Sequence, residues 1–260
     1  MQIKHKAKKS LGQNFLKSEM ILKKIVETGN IQEGETVLEI GPGKGALTQK
    51  LLASNCQLIA IEKDNDLYDF LKTKFEKEIS SGQLNLIHGD VLEFNTESYK
   101  LKAGSYKLIA NIPYNITGAI LKKFLTETNQ PESMVLMVQH EVAQRILAKD
   151  GKESILSISV KAYGEPKMIT KVDKRFFSPA PKVNSAVIAI NHISRKTFEN
   201  KGLNEEKFWE IVKNGFAHKR KKLTSNLKNV LELDENTKKL LENKRAEDLS
   251  LANWILIAKS

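Results

Sequence analysis

The chain alternates between short runs that are almost wholly apolar and longer stretches with helical spacing of apolar residues. The stretches at 20–26, 46–53 and 66–75 have the period of a helix that buries one face. The short runs lack the alternation of a half-buried strand, which indicates strands covered on both faces. These runs are Thr36–Ile40, Leu58–Ile61, Leu84–Ile87, Lys107–Ala110 and Met134–Val138. Strands that alternate with helices predict a mostly parallel, doubly wound α/β sheet.

The pattern changes in the second half of the chain. Ile155–Ala162 has helical spacing, and Lys167–Val172 and Ala186–Ile190 have the composition of late strands. After about residue 193 only helical patterns remain. They are Glu205–Ala217, Lys222–Val230 and Leu249–Ala258. We therefore expect an α/β domain with a basic N-terminal segment over 1–193, and a small all-α domain over 194–260.

Composition and charge narrow the class of partner. The chain has 260 residues, 40% of them hydrophobic, which is enough for a real core. Its formal net charge of +11 at pH 7 points to a polyanion, with nucleic acid ahead of an anionic membrane surface, unless the charge serves only solubility. A single cysteine, Cys56, excludes an intrachain disulfide. Because neither a signal peptide nor an apolar run of about 20 residues is present, we expect a cytoplasmic protein.

Glycine or polar residues stand where four of the predicted strands end. They are Gly41, Glu62, Asp90 and Asn111. Ligands of such sheets bind beyond the carboxyl ends of the strands, so we expect these positions to share one site. A carboxylate at Asp90 can bind the exocyclic amine of adenine. An additional acid also suits a cationic sulfonium ligand better than a pyrophosphate. The alternative for Asp90 is a residue that caps a turn.

A glycine-rich loop follows the first of these strands. Gly41-x-Gly43-x-Gly45 lies between a strand and a helix, where glycines let the backbone approach a ligand closely. Ala46 can stand in for the last glycine of the dinucleotide-binding pattern. Glu62, at the end of the next strand, can accept both ribose hydroxyls of an adenosine ligand. That role fits NAD and S-adenosylmethionine alike, so the loop and this acid leave both cofactors open.

The segment Asn111-Ile112-Pro113-Tyr114 carries the most specific chemistry. The N6 amine of adenine is a poor nucleophile because its lone pair is delocalised into the ring. The Asn111 side-chain oxygen and a backbone carbonyl such as that of Ile112 can accept its two protons. Pro113 fixes the turn, and Tyr114 offers a face for a base that has left its stack. If stacking is its whole role, Tyr114→Phe should be tolerated.

With these motifs in view, the chain resembles the ribosomal RNA adenine dimethyltransferase family, in the branch that modifies small-subunit ribosomal RNA. The resemblance covers nearly the whole length. Its motifs are Ser10-Leu11-Gly12-Gln13-Asn14-Phe15-Leu16, Leu38-Glu39-Ile40-Gly41-Pro42-Gly43-x-Gly45, Asn111-Ile112-Pro113-Tyr114-Asn115-Ile116 and Phe177-x-Pro179-x-Pro181-Lys182-Val183-x-Ser185.

The resemblance implies a fold, a cofactor and a reaction. The fold is the Rossmann-like, seven-stranded sheet of class I S-adenosylmethionine-dependent methyltransferases. Asn14 and Leu16 would join Gly41, Gly43, Gly45, Glu62, Asp90 and Asn111 in binding S-adenosylmethionine. Phe177 would stack on the target base opposite Tyr114. The enzyme would transfer two methyl groups to N6 of each of two adjacent adenosines, in ribosomal RNA of an immature small subunit.

Two basic clusters complete the predicted site. They are Lys8 with Lys9, and the run Lys219, Arg220, Lys221 and Lys222. Such clusters neutralise phosphates and carry little sequence information, and the alternative for each is a solvated charged face. The histidines His88, His140, His192 and His218 lack metal-ligand spacing, so we expect no metal site. No stripe suggests a large apolar interface, and we expect a monomer.

Three other functions remain open at this point. The first is the same chemistry on large-subunit ribosomal RNA, as in antibiotic-resistance relatives, or on DNA. The second is a nucleic-acid-binding assembly or transcription factor that kept the fold and lost catalysis. The intact glycine loop and the Asn111–Tyr114 segment count against it. The third is a dinucleotide-dependent oxidoreductase, which leaves Asn111–Tyr114 unexplained.

Overall fold

The structure is a computed structural model that describes residues 5–199, 202–232 and 234–259, so the first four residues of the predicted basic segment lie outside it. The strands are β1 (Phe15–Leu16), β2 (Thr36–Ile40), β3 (Gln57–Glu62), β4 (Leu84–His88), β5 (Tyr106–Asn111), β6 (Ser133–Gln139), β7 (Glu165–Val172), β8 (Phe177–Ser178) and β9 (Ser185–Asn191). The α-helices are α1 (Glu19–Gly29), α2 (Ala46–Leu52), α3 (Asn65–Lys74), α4 (Glu76–Ser80), α5 (Thr117–Thr126), α6 (His140–Leu147), α7 (Ile155–Lys161), α8 (Lys196–Glu199), α9 (Glu205–Gly215), α10 (Leu223–Leu227), α11 (Glu235–Leu240) and α12 (Leu251–Lys259).

Seven of the strands form one sheet in the order β4-β3-β2-β5-β6-β9-β7. The pairs from β4 to β6 are parallel, whereas β9 pairs antiparallel with both β6 and β7. Strand β9 therefore runs against the other six. The predicted fold class, a mostly parallel seven-stranded α/β sheet, is confirmed.

Burial explains why the central strands are apolar without alternation. Almost every residue of β2, β3, β5 and β6 is buried, because helices cover both faces of the sheet. Two of the neighbouring helices begin at residues whose side chains accept hydrogen bonds from the first turn. Ser18 caps α1, and Asp64 caps α3. Helices α4, α5, α6, α8 and α11 were not predicted.

The order of the strands places a crevice at one edge of the sheet. From β2 the chain runs outward through β3 to β4, and then returns to β5 on the other side of β2. Connections that leave neighbouring strands in opposite directions open a gap beyond their carboxyl ends. Gly41 follows β2 and Asn111 ends β5, so both lie at this gap. A second, small sheet pairs β1 with β8 in antiparallel register.

Contacts divide the chain into two compact units. The sheet unit comprises Met1–Ala143 and Glu165–Ile193, and the helical unit comprises Gln144–Gly164 and Ser194–Ser260. The division after Ile193 coincides with the predicted domain boundary. Residues 144–164, which were predicted to belong to the first domain, cluster with the helical unit instead. Tyr163, at the end of this segment, stacks on Trp209 and packs against Phe198, so the segment belongs to the core of the helical unit.

Among the helices in the described ranges, none combines the length and the apolar character that a membrane crossing requires.

Candidate active site

A cavity of about 450 Å³ opens in the sheet unit beyond the carboxyl ends of the central parallel strands. Its wall includes the four strand-end positions that the sequence singled out, Gly41, Glu62, Asp90 and Asn111. The structure thus brings all four together. Most of the remaining wall comes from the N-terminal segment Ser10–Lys17, from the glycine loop and from the segment that follows Asn111.

The three glycines of the loop have two different roles. Gly41 and Gly43 line the cavity with positive φ angles of 63° and 60°. A Cβ atom on Gly43 would lie 3.0 Å from the ring of Phe15, so glycine lets the backbone and this ring approach closely. Gly45 is not part of the wall. A Cβ atom there would lie 2.5 Å from the ring of Phe75, so Gly45 serves the packing of α2, and its assignment to the cofactor site is corrected.

Glu62 presents a carboxylate that the backbone holds in place. Its Oε2 accepts a hydrogen bond of 2.9 Å from Gly43 N, and its Oε1 accepts one of 2.9 Å from Asp64 N. Burial raises the pKa of Glu62, while these backbone hydrogen bonds act in the opposite direction. Each oxygen keeps a further lone pair, so the carboxylate remains able to accept from hydroxyl groups in the cavity.

Asp90 lies at the cavity as an ionised acid. Lys63 Nζ donates to its Oδ2 at 2.7 Å, and Leu92 N donates to its Oδ1 at 2.9 Å. The hydrogen bond from Lys63 and then that from Leu92 lower the pKa of Asp90. The loop after β4 therefore supplies a charged acceptor, as its position after a strand predicted.

Glu39 is a cavity residue that the sequence reasoning missed. It is the last but one residue of β2, is only 1% exposed and lines the cavity. Its Oε2 atom has no hydrogen-bond partner within the described ranges. Burial raises the pKa of Glu39 to about 8. The available signal was an acid within an otherwise apolar strand, since a buried carboxylate without a partner is costly and commonly functional.

Asn111 has its side-chain amide oriented by the N-terminal segment. Its Nδ2 donates to the backbone oxygen of Asn14 at 3.3 Å. This contact uses the donor end of the amide and leaves Oδ1 as an acceptor. Asn14 and Leu16, which the family resemblance assigned to the cofactor site, both line the same cavity.

Tyr114 is tied to a buried serine. Its hydroxyl lies 2.6 Å from Oγ of Ser185, at the start of β9, and Ser185 is fully buried. Burial raises the pKa of Tyr114, so the hydroxyl stays protonated. Ile112 and Pro113 line the cavity with Tyr114. The sequence reasoning included Ser185 in a motif but assigned it no partner, because the contact joins positions 71 apart in the chain.

Phe177 lies elsewhere than predicted. Strand β8 places it opposite Leu16 of β1, and its ring is 3% exposed within the apolar core cluster of the sheet unit. It is not part of the cavity wall. The prediction that Phe177 stacks on a base beside Tyr114 is therefore corrected: its burial against the sheet leaves the ring no free face at the cavity.

The two basic clusters differ. Lys8 Nζ lies 2.9 Å from Asp64 Oδ1 and 2.8 Å from Asp66 Oδ2, so it is not the free cation that the prediction of an RNA contact assumed. Lys9, next to it, is exposed. The other cluster is exposed throughout and lies between α9 and α10 in the helical unit. It consists of Lys219, Arg220, Lys221 and Lys222, the last of which donates to Asn243 Oδ1 at 2.7 Å.

Comparison with known sequences gives a consistent set of relatives. A model of the family described as ribosomal RNA adenine dimethylase matches residues 4–260. A protein of Dehalococcoides mccartyi named ribosomal RNA small subunit methyltransferase A is 40% identical, over 96% of this chain and 86% of its own length. A protein of the same name from Fusobacterium nucleatum is 38% identical, over 100% of this chain and 98% of its own length.

Solved structures agree on the fold. A dimethyladenosine transferase from Plasmodium falciparum has a TM-score of 0.77 at 25% identity, over 94% of this chain and 95% of that one. The 23S rRNA methyltransferase ErmE has a TM-score of 0.78 at 23% identity, over 95% and 100% of the two chains. The second match speaks for the fold alone. The two scores are nearly equal, so the fold resembles both proteins to the same degree.

Proposed function

Because this chain belongs to the ribosomal RNA adenine dimethylase family, we propose that it transfers methyl groups from S-adenosylmethionine to N6 of adenine in ribosomal RNA. The full proposal is that two methyl groups go to each of two adjacent adenosines in small-subunit RNA. The substrate is an immature small subunit, and the enzyme acts as a monomer in the cytoplasm.

The orientation of Asn111 carries the proposal. Its Nδ2 is engaged with Asn14, so Oδ1 is the atom that remains to accept a proton of the N6 amine. The backbone carbonyl of Ile112 serves as the second acceptor. Accepting both protons localises the lone pair on nitrogen, which makes the amine a better nucleophile. Placing that nitrogen beside the methyl group then supplies much of the rate.

The donor set of the cavity fits S-adenosylmethionine. Glu62 accepts from the ribose hydroxyls, Asp90 accepts from the adenine amine, and the backbone at Gly41 and Gly43 admits close approach. The unpartnered Oε2 of Glu39 suits a cationic ligand. The acids Glu62 and Asp90 favour a ligand with positive charge over one with a pyrophosphate. Such a ligand would also favour the ionised form of Glu39, whose pKa burial raises to about 8. When bound, S-adenosylmethionine supplies an electrophilic methyl group.

Tyr114 holds the target base. The base has to leave its stack to reach the cavity, and an aromatic face compensates part of that cost, worth roughly 1–3 kcal/mol. The hydrogen bond to Ser185 fixes the direction of the ring. With Phe177 in the core, stacking rests on Tyr114.

The exposed cations bind the RNA backbone. Lys219, Arg220, Lys221 and Lys222 of the helical unit, together with Lys9 of the sheet unit, are the residues that we assign to this role. Their contacts neutralise phosphates and contribute affinity that falls with salt. The small-subunit target is favoured by the relatives at 38–40% identity, whose names specify that subunit.

One experiment tests the proposal against its rivals. The protein is incubated with labelled S-adenosylmethionine and, separately, with immature small subunits, large subunits or duplex DNA, and the labelled base is mapped. We expect label on adenine of small-subunit RNA. Label on large subunits alone would contradict the small-subunit assignment. No label on any substrate would favour a protein that binds RNA without catalysis.

A further inference from the structure

A buried carboxylate next to the cavity binds the N-terminal segment. The side chain of Asp64 is fully buried. Its Oδ1 accepts from Lys8 Nζ at 2.9 Å, and its Oδ2 accepts from Gln13 Nε2 at 2.8 Å. Gln13 in turn accepts from Lys8 N at 2.8 Å through its Oε1. One acid therefore joins two residues of the N-terminal segment to the start of α3.

The cation of this cluster is Lys8. His5, Asp64 and Asp66 lie close enough together to hold a metal ion. However, the ammonium group of Lys8 already donates to both carboxylates. Burial alone would raise the pKa of Asp64, but the hydrogen bonds from Lys8 and Gln13 outweigh it and lower the pKa. The ionised carboxylate is thus matched by a cation 56 positions away.

The segment that follows Lys8 forms one side of the cavity. Residues 10–17 all line it, whereas Lys8 and Asp64 do not. The far end of the segment is held by strand pairing of β1 with β8 and by a hydrogen bond of 2.8 Å from Lys17 N to Phe176 O. The near end is held by the contacts of Lys8 and Gln13 with Asp64. Between the two ends, Asn14 O accepts from Asn111.

Asp64 also contacts a second part of the cavity wall. Its backbone N donates to Oε1 of Glu62, two residues earlier. Its side chain caps α3 by accepting from Asp66 N at 3.0 Å. Asp64 therefore contacts both Glu62 and the N-terminal segment, and it helps to fix the position of each.

We propose that Lys8 and Asp64 form a latch that positions residues 10–17 as a wall of the cofactor site, and that Lys8 serves cofactor binding rather than RNA binding. The inference rests on the proposed function, since it takes S-adenosylmethionine to be the ligand of the cavity. Lys8 is a positioning residue, because it acts through Asp64 and Gln13 without touching the cavity.

Two neighbouring lysines offer a matched test. Lys8→Gln and Lys9→Gln remove the same charge one residue apart, and both keep the α3 cap of Asp64. Calorimetric titration with S-adenosylmethionine is performed without RNA. We expect Lys8→Gln to bind about tenfold more weakly, equivalent to about 1.4 kcal/mol, and Lys9→Gln to stay within about twofold of the wild type. Lys8→Arg keeps a cation at Asp64 and should recover most of the loss.

Hydrogen exchange supplies a readout that needs no cofactor. In the free protein, the amides of residues 10–17 should exchange faster in Lys8→Gln than in Lys9→Gln, because local opening becomes easier when the latch is lost. Equal cofactor affinity and equal exchange in the two variants would overturn the latch. If the wild type failed to bind S-adenosylmethionine, the proposed function would fall, and the exchange comparison would still decide whether the latch holds the segment.

Discussion

The sheet unit and the helical unit use their charged residues in opposite ways. At the cavity of the sheet unit, Glu62 and Asp90 are each held by backbone or lysine donors. In the helical unit, the run 218–222 is exposed. The acid Glu205 of the helical unit accepts a hydrogen bond from the Tyr163 hydroxyl, and this hydroxyl accepts one from Trp209 Nε1 at 3.0 Å. Glu205 therefore serves the packing of the helical unit and not a ligand site.

This difference assigns cofactor binding and RNA binding to different residues. The net positive charge of the sequence alone does not distinguish the two tasks. Acids fixed around a cavity select and orient a small ligand, while exposed cations bind a polyanion without reading its sequence. Variants at the cavity of the sheet unit should therefore change turnover or cofactor binding. Variants in the exposed loop of the helical unit should change RNA affinity.

Asn111→Ala should give the largest effect. The variant loses the acceptor that activates the amine, and we expect turnover to fall on the order of a hundredfold, as for the loss of one well-placed transition-state contact. RNA affinity should be nearly unchanged, because the phosphate contacts lie elsewhere. Single-turnover kinetics with saturating RNA, alongside a binding assay, measures both quantities. Equal losses of turnover and affinity would contradict the proposed role of Asn111.

The combined variant Lys219→Gln, Arg220→Gln and Lys221→Gln should weaken RNA binding and leave cofactor binding unchanged. Three fewer phosphate contacts should weaken RNA binding roughly tenfold and reduce the slope of log affinity against log salt by about two. Calorimetric titration with S-adenosylmethionine serves as the control and should give the wild-type affinity. An unchanged salt slope would show that this loop is only a solvated surface.

Tyr114 and Ser185 should behave as a pair. Stacking alone predicts that Tyr114→Phe is neutral, but the structure adds a hydrogen bond to a buried serine. We expect Tyr114→Phe and Ser185→Ala each to lower kcat about threefold, in keeping with one hydrogen bond of about 0.5–1.5 kcal/mol. In a double-mutant cycle the second substitution should add little to the first. Additive losses would mean that the two side chains act separately.

Glu39→Gln should give the smallest effect, and a favourable one for stability. The pKa of Glu39 rises from an ordinary 4.5 to about 8 on folding, so the wild-type fold loses stability as pH rises through that window. The variant carries no such charge and should unfold at a Tm higher by about 3 °C or more at pH 8, the shift that about 1 kcal/mol produces in a domain of this size.

The advantage of Glu39→Gln should vanish near pH 4, where the wild-type carboxyl is protonated in both states. S-adenosylmethionine should bind the variant more weakly at pH 8, because the buried negative charge is gone. A Tm difference that does not depend on pH would show that Glu39 is not a protonatable group of high pKa. Substitutions in the exposed loop of the helical unit are not expected to raise stability and weaken cofactor binding together in this way.

Much of the fold follows from local patterns in the sequence. The runs that became β2, β3, β5 and β6 are apolar because both of their faces are buried, and that signal is strong and local. The positions of Gly41, Glu62, Asp90 and Asn111 follow as well, because each stands at the last residue of a strand or within two residues after it. The membership of 144–164 in the helical unit did not follow, since it depends on contacts of Tyr163 with distant aromatic rings.

The errors at the site concern pairs of residues far apart in the chain. Lys8 reads as a free cation until Asp64 and Asp66 are placed beside it. Gly45 reads as part of the glycine loop until Phe75 is seen to fill the space next to it. Phe177 reads as a stacking ring until β1 pairs with β8. A sequence motif identifies which residues matter, whereas the direction of each side chain depends on its neighbours in space.

The most direct test of the central claim is the chemical identity of the product. Small-subunit RNA is recovered from immature subunits after incubation with the wild-type protein and S-adenosylmethionine, digested to nucleosides and analysed by mass spectrometry, with the sites located by fragment mapping. We expect N6,N6-dimethyladenosine at two adjacent positions. A methyl group on a ring carbon, on a ribose or on another base would contradict the assignment of Asn111 as the acceptor for the adenine amine.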